Sequence, residues 1–434
     1  MSSIAVQNRT DFRSFGDTQW WTDTVRMLLG AGIFTALLVT VTPFAVTFTG
    51  DQDAGSLANQ LGYASLALVV FAGHALFTDR TTLLAMARPM WIIMAAWLLV
   101  SALWADSPEN ALRGAAFTLL AIATVSAILC FPKDVRAFRT ALTLAMLAVL
   151  ALSYFGVIAM PGLALHDGSG SEPQHAGLWR GAYSHKNVAG AVFAVVFFCG
   201  VYLFRCGQRW SGFVIALLAA FFVLKTGSKT SITLLPLVAA IVIIGSLTGR
   251  WLLTIGIALT LTVMAFLTIG TVLSPLFDQI VQTVVPGTTF TGRMDLWRFA
   301  LEVFEGHEWT GFGLNAFWQS QVVYGTERNF ELSWDPRGSP NAHNGYLDIA
   351  ISMGLPGLVL AVIVLVVLPL WDFTRVGRDR ESQRLGQLFL MVLAYLLLNA
   401  FLESFLFDRA NPIWMAVCFA VIGLRLLSRH SVRA

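Results

Sequence analysis

Runs of about twenty apolar residues recur along the chain, and this recurrence constrains the fold more than any other feature of the sequence. A helix needs about 20 apolar residues to cross the hydrocarbon core of a bilayer. Twelve such runs begin near Met27, Leu61, Pro89, Ala115, Ala141, Val188, Gly212, Ile232, Trp251, Tyr346, Gln387 and Pro412. We therefore predict an all-α integral membrane protein with about 12 transmembrane helices.

The composition excludes a soluble protein. Hydrophobic residues make up 56% of the chain and charged residues 12%, whereas soluble domains carry roughly 25% charged residues. No linker or internal repeat divides the chain, so residues 1–434 are predicted to form a single polytopic membrane domain. The polar segment before Arg26 lacks the pattern of a cleaved signal, so we expect the first helix to be retained. The four cysteines lie in or at the ends of predicted spans, which predicts neither a disulfide nor a zinc site.

Basic residues are divided unequally between the two sides of the predicted helix bundle. One side holds 18 of the 28 Lys and Arg residues but only 8 of the 25 Asp and Glu residues, in segments 1–26, 79–88, 133–139, 205–209, 250, 372–384 and 425–433. Basic loops favour the cytoplasm. Both termini are therefore predicted to be cytoplasmic. Residues 274–344 then become a large extracytoplasmic loop between the ninth and tenth helices.

The large loop carries a candidate phosphate ligand near its start. Arg293 follows a glycine and opens a segment in which Trp297, Ala300, Leu301 and Phe304 share one helical face. Such a helix is expected to lie along the membrane surface. A guanidinium group is suited to forked recognition of phosphate. The alternative is a surface arginine at a helix start.

A candidate proton acceptor or donor lies at the end of the same loop. His343 stands between Asn341 and Asn344, just before the tenth predicted span. An unperturbed histidine has a pKa near 6.5 and can exchange a proton at physiological pH. A histidine in such a loop can also be a simple turn residue. The neighbouring motifs favour the functional reading, in which Asn344 helps to bind substrate.

A second external segment, residues 178–188, leads into the sixth predicted helix. It brings Arg180, His185 and Lys186 together beside Trp179 and Tyr183. Aromatic faces next to cations suit sugars and phosphates, although aromatic residues also mark ordinary membrane interfaces. We expect the three cationic residues to bind substrate.

A third external loop contains Lys225 and Lys229. Two lysines are unusual there, because basic residues are enriched in cytoplasmic loops instead. These lysines are candidate diphosphate ligands, and lysines that extend to the headgroups are the alternative. The loop does not match the residue order of a phosphate-binding P-loop. Arg113 near the outer end of the fourth helix, and Glu403, Asp408 and Arg409 near that of the eleventh, either line a site or are solvated helix-end charges.

The order and spacing of these motifs resemble the O-antigen ligase and Wzy-type polysaccharide polymerase superfamily. Within it, the chain is most similar to exopolysaccharide polymerases of the succinoglycan type. The resemblance rests on Leu103-Trp-Ala-Asp-Ser-Pro108, Trp179-Arg-Gly181 with His185-Lys-Asn187, Thr226-Gly-Ser-Lys229, Gly292-Arg293 with Leu296-Trp297, Gly311-Phe-Gly313 and Ala342-His-Asn344.

This resemblance implies a GT-C-like membrane glycosyltransferase that acts on undecaprenyl-diphosphate-linked glycans without nucleotide sugar, cofactor or metal ion. It assigns the catalytic roles to Arg293 and His343. The ligases have an arginine where this chain has Lys229, and lysine acts as a point charge rather than as a fork. The implied partners are the membrane, a lipid-linked oligosaccharide, and chain-length regulator and export proteins, with no nucleic acid.

The resemblance further implies a polymerase that joins lipid-linked repeat units into exopolysaccharide at the periplasmic face of the bacterial inner membrane. The alternative within the superfamily is a ligase that transfers the glycan to a lipid A core or another acceptor. The His185-Lys-Asn187 motif favours the polymerase. A flippase or other transporter would place charges inside several spans, but the middle of the predicted spans is nearly uncharged.

Overall fold

The protein is almost entirely helical over the residues that the computed structural model describes, namely 10–40, 42–44, 57–168, 173–284, 286–287, 290, 292–314, 316–318, 320–326, 335–408 and 411–430; side chains are described for these residues from 19 onward, except 57–59. The helices are α1 Thr10–Val39, α2 Leu57–Phe77, α3 Arg80–Met86, α4 Pro89–Ser101, α5 Pro108–Cys130, α6 Val135–Ala159, α7 Pro161–Ala164, α8 Lys186–Arg205, α9 Arg209–Thr226, α10 Lys229–Gly245, α11 Arg250–Leu267, α12 Ile269–Leu273, α13 Pro275–Val284, α14 Arg293–Phe304, α15 Gln321–Tyr324, α16 Gly345–Val362, α17 Leu368–Thr374, α18 Arg380–Asn399 and α19 Pro412–Leu427. A π-helical turn, Ile363–Val367, joins α16 to α17. These described residues contain no named strand, and their one isolated β-bridge pairs Leu165 with Trp179.

The helical structure confirms the predicted all-α membrane fold. Each of the twelve predicted spans begins within a helix. Among the described residues, eight helices are long and apolar enough to cross a membrane, or nine if the bent pair α3 and α4 forms one span. Two further apolar helices, α10 and α19, are shorter. The exact number of twelve spans therefore stays a prediction.

Helix α8 lies in the centre of the bundle and is buried on nearly all sides. It crosses α9 where two glycines allow the backbones to touch. A β-carbon added to Gly200 would lie 2.6 Å from the backbone nitrogen of Ala216, and one added to Gly212 would lie 2.3 Å from that of Phe204. Small residues permit such close helix packing in membranes. The crossing fixes α8, and with it the polar segment that precedes it.

The two ends of the bundle differ in their polar groups. We call the side at which α8, α10 and α16 begin and α18 ends the loop face. The opposite side, where α4 begins and α17 and α19 end, we call the arginine face. There Arg88 Nη1 lies 2.6 Å from Asp372 Oδ2, and Arg425 Nη1 lies 3.8 Å from Asp372 Oδ1. These ion pairs tie α4, α17 and α19 together.

Helix α16 bends sharply at Gly354, whose backbone is left-handed with φ 69°. The bend receives the loop after α14: Phe312 N donates to Ile351 O at 2.8 Å, and Leu355 N donates to Glu308 O at 2.7 Å. A β-carbon on Gly354 would lie 2.7 Å from the backbone of Trp309. Only glycine fits this conformation and this approach. The bend therefore fixes the first half of α16 against residues 308–313.

The apolar face of α14 is covered by protein. The sequence pattern predicts instead that this face lies along the membrane surface. Trp297, Ala300 and Phe304 are buried in a cluster with Ala342 and Ile351. Trp297 Nε1 also donates to Ala342 O at 2.9 Å. The pattern of apolar residues correctly predicts an amphipathic helix, but its apolar face packs on the end of the loop and on α16.

Candidate functional site

The carboxylate of Glu403 is the centre of a polar cluster on the loop face. Arg293 Nη2 lies 2.9 Å from Glu403 Oε1, and Asn187 Nδ2 donates to the same oxygen at 2.7 Å. His343 Nδ1 lies 3.5 Å from Glu403 Oε2. The exposed fractions of the side chains are 12% for Arg293, 15% for Glu403 and 20% for His343. The cluster is therefore largely shielded from solvent, although each group retains some access to it.

Arg293 is delivered by the first residue of α14. Gly292 precedes it in a left-handed conformation, φ 82°, which turns the chain into the helix. The buried Trp297, one turn later, fixes α14 against the loop that carries His343. Arg293 Nε is buried and has no hydrogen-bond partner among the described residues. Buried donors are nearly always satisfied, so Arg293 lacks one hydrogen bond that such a group usually makes.

The backbone of His343 is held in an uncommon conformation. Its φ is 50°, in the left-handed region that residues other than glycine seldom adopt. Its N–H donates to Asn341 Oδ1 at 3.0 Å. The next residue, Asn344, caps α16 by accepting from Tyr346 N and Leu347 N, each at 3.1 Å. Such conformations cluster at functional sites and persist where the surroundings impose them.

A second carboxylate, that of Asp348, anchors the loop segment that carries His343. Asp348 Oδ1 accepts from Trp318 Nε1 at 2.7 Å and from Ala342 N at 3.1 Å. Asp348 Oδ2 accepts from the hydroxyl of Ser404, the neighbour of Glu403. Asp348 thus joins the residue before His343 to the residue after Glu403. This arrangement fixes the position of His343 relative to Glu403.

The electrostatic environment keeps Glu403 ionised. Burial alone would raise the pKa of its carboxyl group, but the contact with His343 and the charges of Arg293, His343 and His185 outweigh burial and lower the pKa to about 2. Glu403 is therefore an anion at any physiological pH. It can hold the Arg293 guanidinium in place and stabilise positive charge on His343.

The segment before α8 supplies the other side of the cluster. His185 caps α8 by accepting from Asn187 N at 3.2 Å, which places Asn187 beside Glu403. Lys186 is buried, and its backbone N–H donates to His166 Nε2 at 3.1 Å. The rings of His166 and His175 pack around His185, with centroids 5.2 to 5.6 Å apart.

The remaining predicted substrate-binding residues lie on the same face but outside the cluster. Lys225 and Lys229 are exposed at the turn between α9 and α10, and Lys225 Nζ lies 5.5 Å from the Phe221 ring. Arg180 Nη1 donates to Ser184 O at 3.3 Å. Within the described part of the chain, no hydrogen bond or ion pair joins these three cations to Glu403. Their part in substrate binding stays a prediction.

The fold and the cluster define a polytopic helical membrane protein whose loop face gathers an arginine, a histidine and an asparagine around one carboxylate. Residues 213–362 match the family model Wzy_C, described as O-antigen ligase. This match confirms the O-antigen ligase and Wzy-type superfamily over about a third of the chain, in a stretch that includes Lys225, Lys229, Arg293 and His343. It supports an O-antigen ligase- or polymerase-type function without distinguishing a subtype. No curated protein matches the chain.

Proposed function

We propose that the protein is a membrane glycosyltransferase that polymerises undecaprenyl-diphosphate-linked repeat units at the periplasmic face of the bacterial inner membrane. The observation that carries the proposal is the convergence of Arg293, His343 and Asn187 on Glu403. Both termini are then cytoplasmic, the loop face is periplasmic, and residues 274–344 form the large periplasmic loop.

In the proposed reaction, an acceptor hydroxyl attacks the anomeric carbon of the donor sugar. The new glycosidic C–O bond forms as the bond from that carbon to the diphosphate breaks, and the diphosphate leaves with the electron pair. Arg293 neutralises the growing negative charge with its guanidinium group, which retains some exposure. Lys225, Lys229, Arg180 and Lys186 contribute further positive charge on the same face.

His343 has two roles open to it. It accepts the proton of the acceptor hydroxyl as a general base, or it binds and orients the sugar and the diphosphate. In the first role, Glu403 stabilises the imidazolium that forms, since the two groups are 3.5 Å apart. In the second role, Glu403 fixes the ring, and the departing diphosphate takes the proton of the acceptor hydroxyl. His185 and Asn344 hold the surrounding backbone.

Polymerase and ligase share this donor chemistry and differ in the acceptor. The family description, O-antigen ligase, keeps the ligase as the second candidate. A strain that lacks the gene, complemented with wild type or Arg293→Ala, separates them when lipid-linked glycans are extracted and sized by mass spectrometry. Single repeat units that accumulate on the lipid with Arg293→Ala support a polymerase. Long chains that remain on the lipid indicate a ligase, and unchanged lipid-linked pools contradict both.

A further inference from the structure

A lateral cavity of about 620 Å³ lies on the arginine-face half of the bundle, between α2, α3, α4 and α5. This volume is within the range of about 300 to 1,000 Å³ typical of small-molecule sites. Apolar side chains such as Phe71, Met86, Trp91 and Leu119 form most of its wall. The site around Glu403 lies on the opposite face, so the cavity is separate from the proposed glycan chemistry.

The bend between α3 and α4 creates this cavity. The two helices meet at 59°, and Met86, Ala87 and Arg88 at the bend line the space behind it. Phe71 and Ile92 at its edge are 52% and 64% exposed. Phe71 lies in α2, a candidate membrane span, and Ile92 lies in α4, which forms a bent candidate span with α3. These exposed side chains therefore face the hydrocarbon. The cavity is therefore open to lipid chains from the side.

The polar groups inside the cavity are already satisfied. His74 Nδ1 lies 2.9 Å from Thr78 Oγ1, and His74 Nε2 lies 2.7 Å from Ser126 Oγ. Both ring nitrogens thus have partners within the protein. A ligand needs to supply no hydrogen-bonding group in the interior, so the cavity is suited to a hydrocarbon chain rather than to a polar solute.

Positive charge is concentrated at the end of the cavity where α4 begins. Arg88 lines the cavity and shares the carboxylate of Asp372 with Arg425. Arg425 Nε donates to Ala85 O at 2.8 Å, which brings the end of α19 against α3. Two arginines on one carboxylate leave a net positive charge in this ion-pair group.

Exposed residues around this group add to the positive charge. Arg80 begins α3, and Arg429 follows the end of α19. Asp79 is the acidic residue beside them, where it caps α3 by accepting from Thr82 N at 2.8 Å. We call these charged residues of the arginine face the rim: it comprises four arginines and two carboxylates, and Arg88 is the arginine that lines the cavity. Basic groups at a membrane boundary attract anionic lipids.

We infer that this cavity binds one acyl chain of an anionic phospholipid, with the lipid phosphate against the arginines of the rim. The apolar interior accepts the chain, the lateral opening gives access from the bilayer, and the excess positive charge selects the headgroup. The resident lipid would fill the space behind the bend and stabilise the angle between α3 and α4.

The test uses the purified full-length protein in nanodiscs with phosphatidylglycerol that carries a photoreactive group near the end of one acyl chain. Crosslinked peptides are quantified by mass spectrometry. The variant Ala95→Phe places a ring in the cavity wall, and the adjacent Ala96→Phe, whose position is exposed and outside the cavity, is its matched control. We expect crosslinks in α2, α4 and α5 that decrease at least fivefold in Ala95→Phe only. Equal crosslinking in both variants would overturn the inference.

The headgroup is tested separately with Arg80→Gln combined with Arg429→Gln, since both side chains are exposed. An equivalent photoreactive phosphatidylcholine serves as the neutral probe. We expect phosphatidylglycerol to crosslink several-fold more than phosphatidylcholine in wild type, and this preference to decrease in the double variant. Equal labelling by the two probes in wild type would contradict binding of an anionic lipid.

Discussion

At the residue scale, Glu403 is the central group of the candidate site, because it links Arg293 and His343, which are 50 positions apart in the sequence. A buried carboxylate is stable only when it is paired and hydrogen-bonded. Arg293, His343 and Asn187 satisfy this requirement together. In the free protein, Glu403 therefore fixes the guanidinium and the imidazole at one place, ready for an anionic substrate.

The first prediction concerns the loss of this carboxylate. Glu403→Gln should leave the protein in the membrane but lower glycan transfer by about 10²-fold, the lower end of the effect of a positioned acid–base group. Arg293 and His343 would then lose their common anionic partner. Transfer is measured with a lipid-linked donor. Glu302→Gln, an exposed residue of α14, is the control; an equal decrease in both variants would contradict a specific role of Glu403.

A second prediction follows from the pKa of Glu403, which is lowered from 4.5 to about 2 in the folded protein. A lowered carboxyl pKa stabilises the folded state above the unfolded pKa, and this contribution is lost as pH falls towards the folded value. The stability advantage of wild type over Glu403→Gln should be present at about pH 6 and decrease as the pH falls below about 4.5. Thermal unfolding in detergent measures it. An advantage that grows on acidification would contradict the assignment.

Arg293 and His343 are predicted site residues that lie together in the structure, whereas the sequence pattern leaves Glu403 open between a site residue and a helix-end charge. The reason is physical: a single carboxylate at a helix end has the same local pattern in both cases. Only the packing of α8, α14 and α18 brings Asn187, Arg293 and Glu403 together. Asp348 was missed for the same reason, because its partners come from three separate segments.

At the element scale, the apolar runs predicted the helices well, since every predicted span begins in one. The pattern did not predict what covers each apolar face. Residues of α14 were expected at the membrane surface, whereas they pack on Ala342 and Ile351. By contrast, α13 leaves Leu276, Ile280 and Val284 exposed along one side. The spacing of apolar residues predicts which face of a helix is apolar. It does not predict whether protein or lipid covers that face.

A third prediction concerns the bend of α16. Gly354→Ala should destabilise the protein by about 1 to 3 kcal/mol, because a β-carbon is strained at φ 69° and meets the backbone of Trp309. The displaced helix start should also lower glycan transfer. Thermal unfolding in detergent measures the loss. In α11, Gly256→Ala meets nothing within 4 Å and is the control; equal stability of the two variants would contradict the role of the bend.

At the scale of the whole molecule, polar groups are concentrated at the two ends of the same helices. Helix α18 ends at the Glu403 cluster, while α17 and α19 end at the Asp372 ion pairs. Between these ends, the core is formed by apolar side chains of α8, α18 and α19. This separation suits a reaction at one membrane face better than passage of a charged solute through the bundle.

A fourth prediction tests the orientation. Cysteines introduced at the exposed positions Glu305 and Arg429 should respond differently to a membrane-impermeant maleimide in spheroplasts. Glu305→Cys should label before lysis, and Arg429→Cys only after permeabilisation, because the loop face is proposed to be periplasmic. Wild type with its four native cysteines gives the background. Labelling of Arg429→Cys alone in intact spheroplasts would reverse the proposed topology.

The most direct test of a reaction at the Glu403 cluster is to measure glycan transfer by the purified, reconstituted protein supplied with lipid-linked repeat units. Arg293→Ala and His343→Ala should each lower the rate of transfer by about 10²-fold or more. Arg298→Ala removes an exposed arginine five residues further along α14, which pairs with Asp295 at 3.5 Å, and should transfer at the wild-type rate. Wild-type transfer by Arg293→Ala, or an equal loss in Arg298→Ala, would contradict a reaction at the Glu403 cluster.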